Sequence, residues 1–379
     1  MTAKPAHPPD FIDATTDYEK WLSHHVQLVG PELKLKHLFM RQSVFAFLRA
    51  TFYRWAQMWP LICPDLTLAT RVLAVCDLHL DNFGTWRDIE GRLIWGINDF
   101  DEAWPAPYTL DLVRLVTSAY LAIEEQELKM TRKQASAAVE DGYRDAIASG
   151  GKPFVLAEHN RWLRLLALNK LRDPVVFWKK IDSASTYKGP LPKEVRKLLC
   201  ESMPVREADP TWKSRVAGLG SLGHPRVLAL ATWNGGQIVR EAKQLSPSGW
   251  VWAKRVASGE IFSQKLLDSA VRIKDPHVHF VGHWIVRRLA PDCCHIDIAS
   301  LPRERDEERL LYSMGWETAN VHLGSQRATP ALKRDLGKRR NRWLHKASKV
   351  MLKTTLGDWK VWARNWDRIP TPRPNPAAR

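Results

Sequence analysis

Two short polar runs stand at the exits of apolar strands and limit what this chain can build. Cys76-Asp77-Leu78-His79-Leu80-Asp81-Asn82-Phe83-Gly84 follows the apolar stretch 71–76, and Asn98-Asp99-Phe100-Asp101-Glu102 closes Leu93-Ile94-Trp95-Gly96-Ile97. The first arrangement reads as a buried strand with Asp77 at its exit and a tight loop that returns Asn82 beside it. The turn Asp88-Ile89-Glu90-Gly91-Arg92 leads into the next strand. If Asp99 to Asp101 stays extended, both carboxylates point to one face. Paired carboxylates in a cleft repel, and a divalent cation relieves that repulsion.

Phosphoryl-transfer sites of the kinase kind need these parts. One Asp orients or deprotonates the acceptor hydroxyl, an Asn five residues on helps hold Mg²⁺, and a second Asp bridges metal and phosphates. The same residue types also form turns, and a strand–turn–strand hairpin would use them without chemistry. A third element is Gly218-Leu219-Gly220-Ser221-Leu222-Gly223. A dinucleotide fingerprint of this spacing opens a helix. Here the run is followed by strand-like 226–233, the hairpin turn Asn234-Gly235-Gly236, and strand-like 237–243 ending in Lys243. Strand, glycine loop, strand, hairpin, strand with a Lys is the layout of a phosphate-covering loop. Its alternative is a Gly-rich hairpin in an ordinary sheet.

With those residues in place, the chain resembles the bacterial "domain of unknown function 2252" proteins, whose motifs resemble those of aminoglycoside phosphotransferases and other kinase-like enzymes. The likeness rests on residues 40–49, 76–84, 98–102 with Asp111-Leu112-Val113-Arg114-Leu115, and 218–223. It spans roughly Leu35 to Gly324. It implies ATP and Mg²⁺ as cofactors and Asp77 as the catalytic base. It implies Asn82, Asp99 and Asp101 as metal ligands, and Gly218, Gly220, Ser221, Gly223 and Lys243 as the phosphate-holding set. Asp111 matches a structural Asp, and His79 a His that braces the loop.

The chain departs from the pattern in places. Val75 stands where a kinase loop has His, and Cys76 where many phosphotransferases have Gly. Aligning the family's Val-Lys-Glu-Ala puts Arg240 on the Lys position, with Lys243 on the opposite face of the strand. Lys243 is the better point charge. Kinases place the glycine loop before the catalytic loop, whereas here it comes after, which implies a circularly permuted kinase-like fold. The alternative is two unrelated domains whose motifs match by chance.

The net charge of +16 suits an anionic substrate, an acidic acceptor or a nucleic acid. Much of the excess falls late, at Lys333, Arg334, Lys338–Arg340, Arg342, Lys346, Lys349 and Lys353, interleaved with Trp343, Trp359, Trp362 and Trp366. Basic residues with aromatics can grip single strands. The competing reading is a solvated helix face over an apolar stripe of Leu336, Trp343, Leu344, Val350 and Leu352. No apolar run reaches transmembrane length, and the N-terminal residues lack a signal-peptide core. The 5 cysteines do not form a disulfide framework, and Cys293-Cys294-His295 lacks a second ligand pair for zinc. These features point to a cytoplasmic protein with no membrane partner.

The resulting expectation is an α+β, kinase-like, two-lobe chain. Residues 1–16 form a loose terminus and 17–208 a helical lobe carrying the catalytic and metal loops. Residues 209–300 form a β-rich nucleotide lobe, 301–366 basic helices, and 367–379 a disordered tail. The function expected is Mg-ATP-dependent phosphate transfer to an unidentified hydroxyl acceptor. The alternatives are a nucleotide-binding pseudokinase without turnover and a nucleic-acid binder using the C-terminal helices.

Overall fold

Helices come first. Asp10 caps α1 (Phe11–Ser23), so helix begins where a loose terminus was expected to residue 16. Residues 32–59, which read in the sequence as mostly helical with apolar and basic faces, belong to three helices, α2 (Gly30–Gln42), α3 (Val44–Ala50) and α4 (Phe52–Ile62). The break at Ser43 is a cap: its hydroxyl accepts the Ala46 N–H. The computed structural model of the protein describes residues 9–157, 160–168, 173–204, 209–291, 293 and 306–369. Cys294, His295 and residues 370–379 lie outside the described residues.

After the short α5 (Pro64–Thr67) come β1 (Arg71–Ala74), β2 (Phe83–Arg87), β3 (Leu93–Ile97) and β4 (Trp104–Pro107). The two polar runs therefore do stand at strand exits, but in different sheets. β1 pairs with β4, whereas β2 and β3 form a hairpin joined by β5 (Phe154–Val155). Helices α6 (Tyr108–Glu124) and α7 (Arg132–Ser149) follow, over the stretches 109–123 and 131–147 that read as helical in the sequence. α6 is buried almost all round and forms the centre of the main core.

α13 (Glu307–His322), α14 (Thr329–Lys338) and α15 (Trp343–Asn365) complete the helical body. α7 and α13 cross at two glycines. A Cβ on Gly142 would run into the Tyr312 carbonyl, and one on Gly315 into that of Val139. On α14 and α15 the stripe Leu336, Trp343, Leu344 and Leu352 is buried, while Val350 is exposed. Trp362 is also buried and Trp359 and Trp366 are half-buried, so the indoles pack inward. Trp343 donates to Glu140 (2.9 Å) and Trp362 to the His37 carbonyl (3.3 Å). These indoles therefore serve the core of the helical body.

The second body is an antiparallel sheet of β6 (Thr211–Ser214), β7 (Arg226–Trp233), β8 (Gly236–Gln244), β10 (Trp284–Leu289) and β9 (His279–Val281), in that order. Asn234 and Gly235, both with positive φ, make the two-residue turn between β7 and β8. Side chains alternate across this sheet. Leu228, Leu230, Val239 and Leu289 meet Phe177 and Ile181 of α9 (Pro174–Asp182). Val227, Ala229, Ala242 and Val286 meet Val195 and Leu199 of α10 (Lys193–Glu201). Both helices thus belong with the sheet, and a boundary at residue 208 cuts through this body. Conversely, α11 (Gly249–Lys254) and α12 (Ser263–Ser269) join the main core through Trp250, Val251 and Leu266. α8 (Arg161–Leu168) lies between the two bodies in the chain. No described helix is long and apolar enough to cross a membrane.

Candidate functional site

The loop after β1 is built against one face of α6. The Asp111 carboxylate accepts the N–H of Val75 (2.7 Å) and of Cys76 (2.8 Å). One turn on, Arg114 Nε donates to Asp77 Oδ1 at 2.8 Å, and its Nη2 reaches the same oxygen. Another turn on, the Ser118 hydroxyl accepts the Leu80 N–H (3.1 Å). Positions 111, 114 and 118 share a helix face by their i, i+3, i+7 spacing. Cys76 stands at φ 71°, a left-handed conformation that makes the sharp corner presenting Asp77. The buried His322 imidazole holds Asp111 in turn (3.0 Å) and is itself held by Tyr143 (2.8 Å). Asp111 therefore acts on the loop backbone and does not line the cavities.

Asp77, Asn82, Asp99 and Asp101 line one small cavity of about 40 Å³. The spacing predicts Asn82 beside Asp77, and both side chains line this cavity. The Asn82 Oδ1 accepts the His79 N–H (2.6 Å), which closes the turn. Burial pushes the Asp77 carboxyl up to about 6, although the Arg114 guanidinium pulls it down. Glu102, on the same wall, is pushed up to about 7 by burial and then by the Asp77 charge. It is held by the Ser248 hydroxyl (2.7 Å) and the Gly249 N–H (2.6 Å).

Asp99 and Asp101 also line a second, larger cleft of about 370 Å³. Its other wall is the α9-facing side of the five-stranded sheet. Phe177, Ile285, Leu289 and Ala290 give that wall apolar surface, and Lys243, Arg215 and Arg287 line it as well. Lys243 pairs with Asp101 across the gap and stands 3.7 Å from Asp99. Burial, then the Asp99 charge, raises the Asp101 carboxyl, and Lys243 opposes both. Arg240 points to the opposite face and donates to the Ser202 carbonyl (2.9 Å), away from the cleft.

The glycine run does not cover the larger cleft. Gly218 and Gly223 adopt positive φ, and the turn between them packs on α2. Lys36 Nζ donates to the Gly220 carbonyl (2.8 Å), the Val29 N–H to the Gly223 carbonyl (2.8 Å), and the Gly223 N–H to Glu32 (3.3 Å). The N–H groups of Ser221 and Leu222 close the turn on Gly218 and Leu219. Gly220 and Ser221 line the small cavity instead. A Cβ on Gly220 would stand 3.1 Å from the Arg49 carbonyl and 3.6 Å from Asp77 Oδ2. The loop thus stands over Asp77, with the N–H groups of Ser221, Leu222 and Gly223 bonded within the protein.

Residues that sequence reading did not assign are Arg114, Lys36, Arg215, Glu241 and Arg287. Only Arg114 left a readable signal, one helical turn from Asp111. No three His, Cys, Asp or Glu side chains among the described residues cluster as a metal site. The oxygens of Asp99, Asp101 and Asn82 are nonetheless hard donors of the kind Mg²⁺ takes.

The profile of a family described as "Uncharacterized protein conserved in bacteria (DUF2252)" matches residues 29–175. The match includes Asp77, Asn82, Asp99 and Asp101 and ends before the glycine run and Lys243. No curated protein and no solved structure matches the chain.

Proposed function

We propose that the chain is a Mg-ATP-dependent phosphotransferase with a kinase-like two-lobe architecture in permuted order, acting on a hydroxyl acceptor. The observation that supports it is the Lys243–Asp101 pair. A Lys from the middle of an antiparallel sheet meets the carboxylates that follow a helical-body strand, in a cleft lined by both apolar and basic side chains. Such a mixed lining suits a ligand that joins an aromatic base to phosphates.

Asp77 orients the acceptor hydroxyl and takes its proton. With its carboxyl near 6 it is ionised at neutral pH yet basic enough to accept. Arg114 fixes its rotamer. Asp99, Asp101 and Asn82 would hold Mg²⁺, which when bound neutralises phosphate charge. Lys243 then turns from Asp101 toward the phosphates as a point charge.

Calorimetric titration with a non-hydrolysable ATP analogue tests this. Binding should need Mg²⁺ in the wild type, and Asp99→Asn should abolish that Mg²⁺-dependent affinity. Equal affinity with and without Mg²⁺ in both proteins would refute the metal assignment. A second reading is nucleotide binding without transfer. It is favoured by the glycine run, since Gly220 stands over Asp77 and leaves a cavity of only about 40 Å³. Asp77-dependent phosphate transfer to any acceptor excludes it.

A further inference from the structure

Glu241 lies on β8, two residues before Lys243, and is fully buried. Three guanidiniums converge on its single charge. Arg287 Nε and Nη2 donate to Oε1 (2.9 and 2.8 Å), Arg226 Nη1 approaches the same oxygen (3.3 Å), and Arg215 Nη1 donates to Oε2. These arginines hold the Glu241 carboxyl well below the usual range in spite of its burial. Lys243 and its partners Asp99 and Asp101 adjoin the cluster and both aspartates act on Arg287, so four cations face three carboxylates and one positive charge is in excess. Arg226 is sealed in, at 2% side-chain exposure, but Arg215 and Arg287 keep 19% and 23% and face the cleft. Two more cleft-lining arginines, Arg272 and Arg288, have a buried Nε with no hydrogen-bond partner among the described residues.

A salt-bridge network that only stapled the sheet would balance its charges, because excess buried charge is costly. Positioning rigid guanidinium forks with a buried carboxylate is instead how a site for a tetrahedral oxyanion is preorganised. The glycine run does not line this cleft, so a phosphate there would meet other groups. We propose that Arg215 and Arg287, aligned by Glu241 and flanked by Lys243, form a subsite for a phosphate-type oxyanion. Naming that anion the phosphate chain of a nucleotide rests on the function proposed above, whereas the subsite itself does not.

The experiment is calorimetry with inorganic tripolyphosphate, ADP and adenosine on the wild type, Arg215→Met, Arg287→Met and the charge-retaining Arg215→Lys and Arg287→Lys. Thermal melts check that each variant is folded. Wild type should bind tripolyphosphate. Each Met variant should lose on the order of ten-fold or more, the loss expected for a charge-assisted contact. Each Lys variant should lose less, and adenosine affinity should not change. Unchanged tripolyphosphate affinity in folded Met variants, or no tripolyphosphate binding by the wild type, overturns the subsite. If tripolyphosphate binding shows the arginine dependence but adenosine does not bind and ADP gains nothing over tripolyphosphate, the subsite stands. The anion then belongs to a phosphorylated acceptor, and the nucleotide reading falls.

Discussion

The guanidinium of Arg114 makes both its Nε and Nη2 contacts to a single oxygen of Asp77, Oδ1, and leaves Oδ2 facing Gly220. One carboxylate oxygen is thereby spent on orientation and the other is turned toward the small cavity. Arg114 has no exposed side-chain surface, and it also donates to the Leu48 carbonyl (2.6 Å) and lies over Phe52 and Trp55. It is a fixed part of the core that aims a residue at the surface of a cavity.

This pairing sets a pH dependence. Phosphate transfer should rise with pH along a limb near 6, as Asp77 ionises. Asp77→Asn should remove the limb and lower the rate about 10²–10⁴-fold while nucleotide affinity holds. Arg114→Met should move the limb to higher pH, because the lowering charge is gone. It should also cost about 3–5 kcal/mol of stability by leaving a buried carboxylate unpaired. Rate–pH profiles of the three proteins check this, and a limb that Arg114→Met leaves in place would break the link.

Glu317, buried behind the cleft-lining Arg272, offers a separate test. Burial pushes its carboxyl up to about 7, against the pull of Arg272. The folded value exceeds the unfolded one, so the stability it contributes is present at low pH and lost as pH rises from about 4 through about 7. By about pH 8 the ionised group costs up to about 3 kcal/mol. Glu317 accepts from Asn320 on one oxygen and from Ile97 on the other, and Glu317→Gln keeps one carbonyl acceptor beside a donor, as the protonated acid does. Its advantage over wild type in urea unfolding should therefore grow from about pH 5 to about pH 8. A gap that stays flat with pH would show that the carboxylate is fully compensated.

Lys243 and Arg240 should separate cleanly. Lys243→Met should weaken binding of the Mg-bound ATP analogue about 10–100-fold, through loss of a charge-assisted contact. Arg240→Met should leave binding unchanged and lower the melting temperature, because its contact is to the Ser202 carbonyl. The reverse pattern would move the phosphate contact to the α10 side of the sheet.

The crossing of α7 and α13 should not tolerate a methyl. Gly142→Ala or Gly315→Ala pushes a Cβ into a backbone carbonyl, which cannot swing aside as a side chain would. Each should cost about 1–3 kcal/mol or more in denaturant unfolding. The site carboxylates lie elsewhere, so ligand affinity of the folded fraction should be unaffected.

The short-range features of the chain were readable because a few adjacent residues determine them. Asn234-Gly235 made its hairpin, α6 and α7 fell on stretches that read as helical, and the Asp77 and Asp99 runs fell at strand exits. Ser43 was missed as a helix break because a cap hydroxyl looks like any polar residue inside an apolar-periodic stretch. Residues 11–16 were missed as helix because their burial depends on Phe11 packing against Phe47 and Trp362, far along the chain.

The local grouping of Asp77 with Asn82 and of Asp99 with Asp101 follows from the chain alone, since a few adjacent residues separate the members of each pair. What faces them depends on long-range packing. Lys243 reaches Asp101 across 142 residues. Glu241 gathers arginines from a loop and two strands, and Lys36 and Glu32 of α2 draw the glycine run onto Asp77 and away from the larger cleft. Those outcomes are set by which buried charges find partners when the sheet docks on the helical body. A charge carries no record in the sequence of the distant partner that will offset its burial.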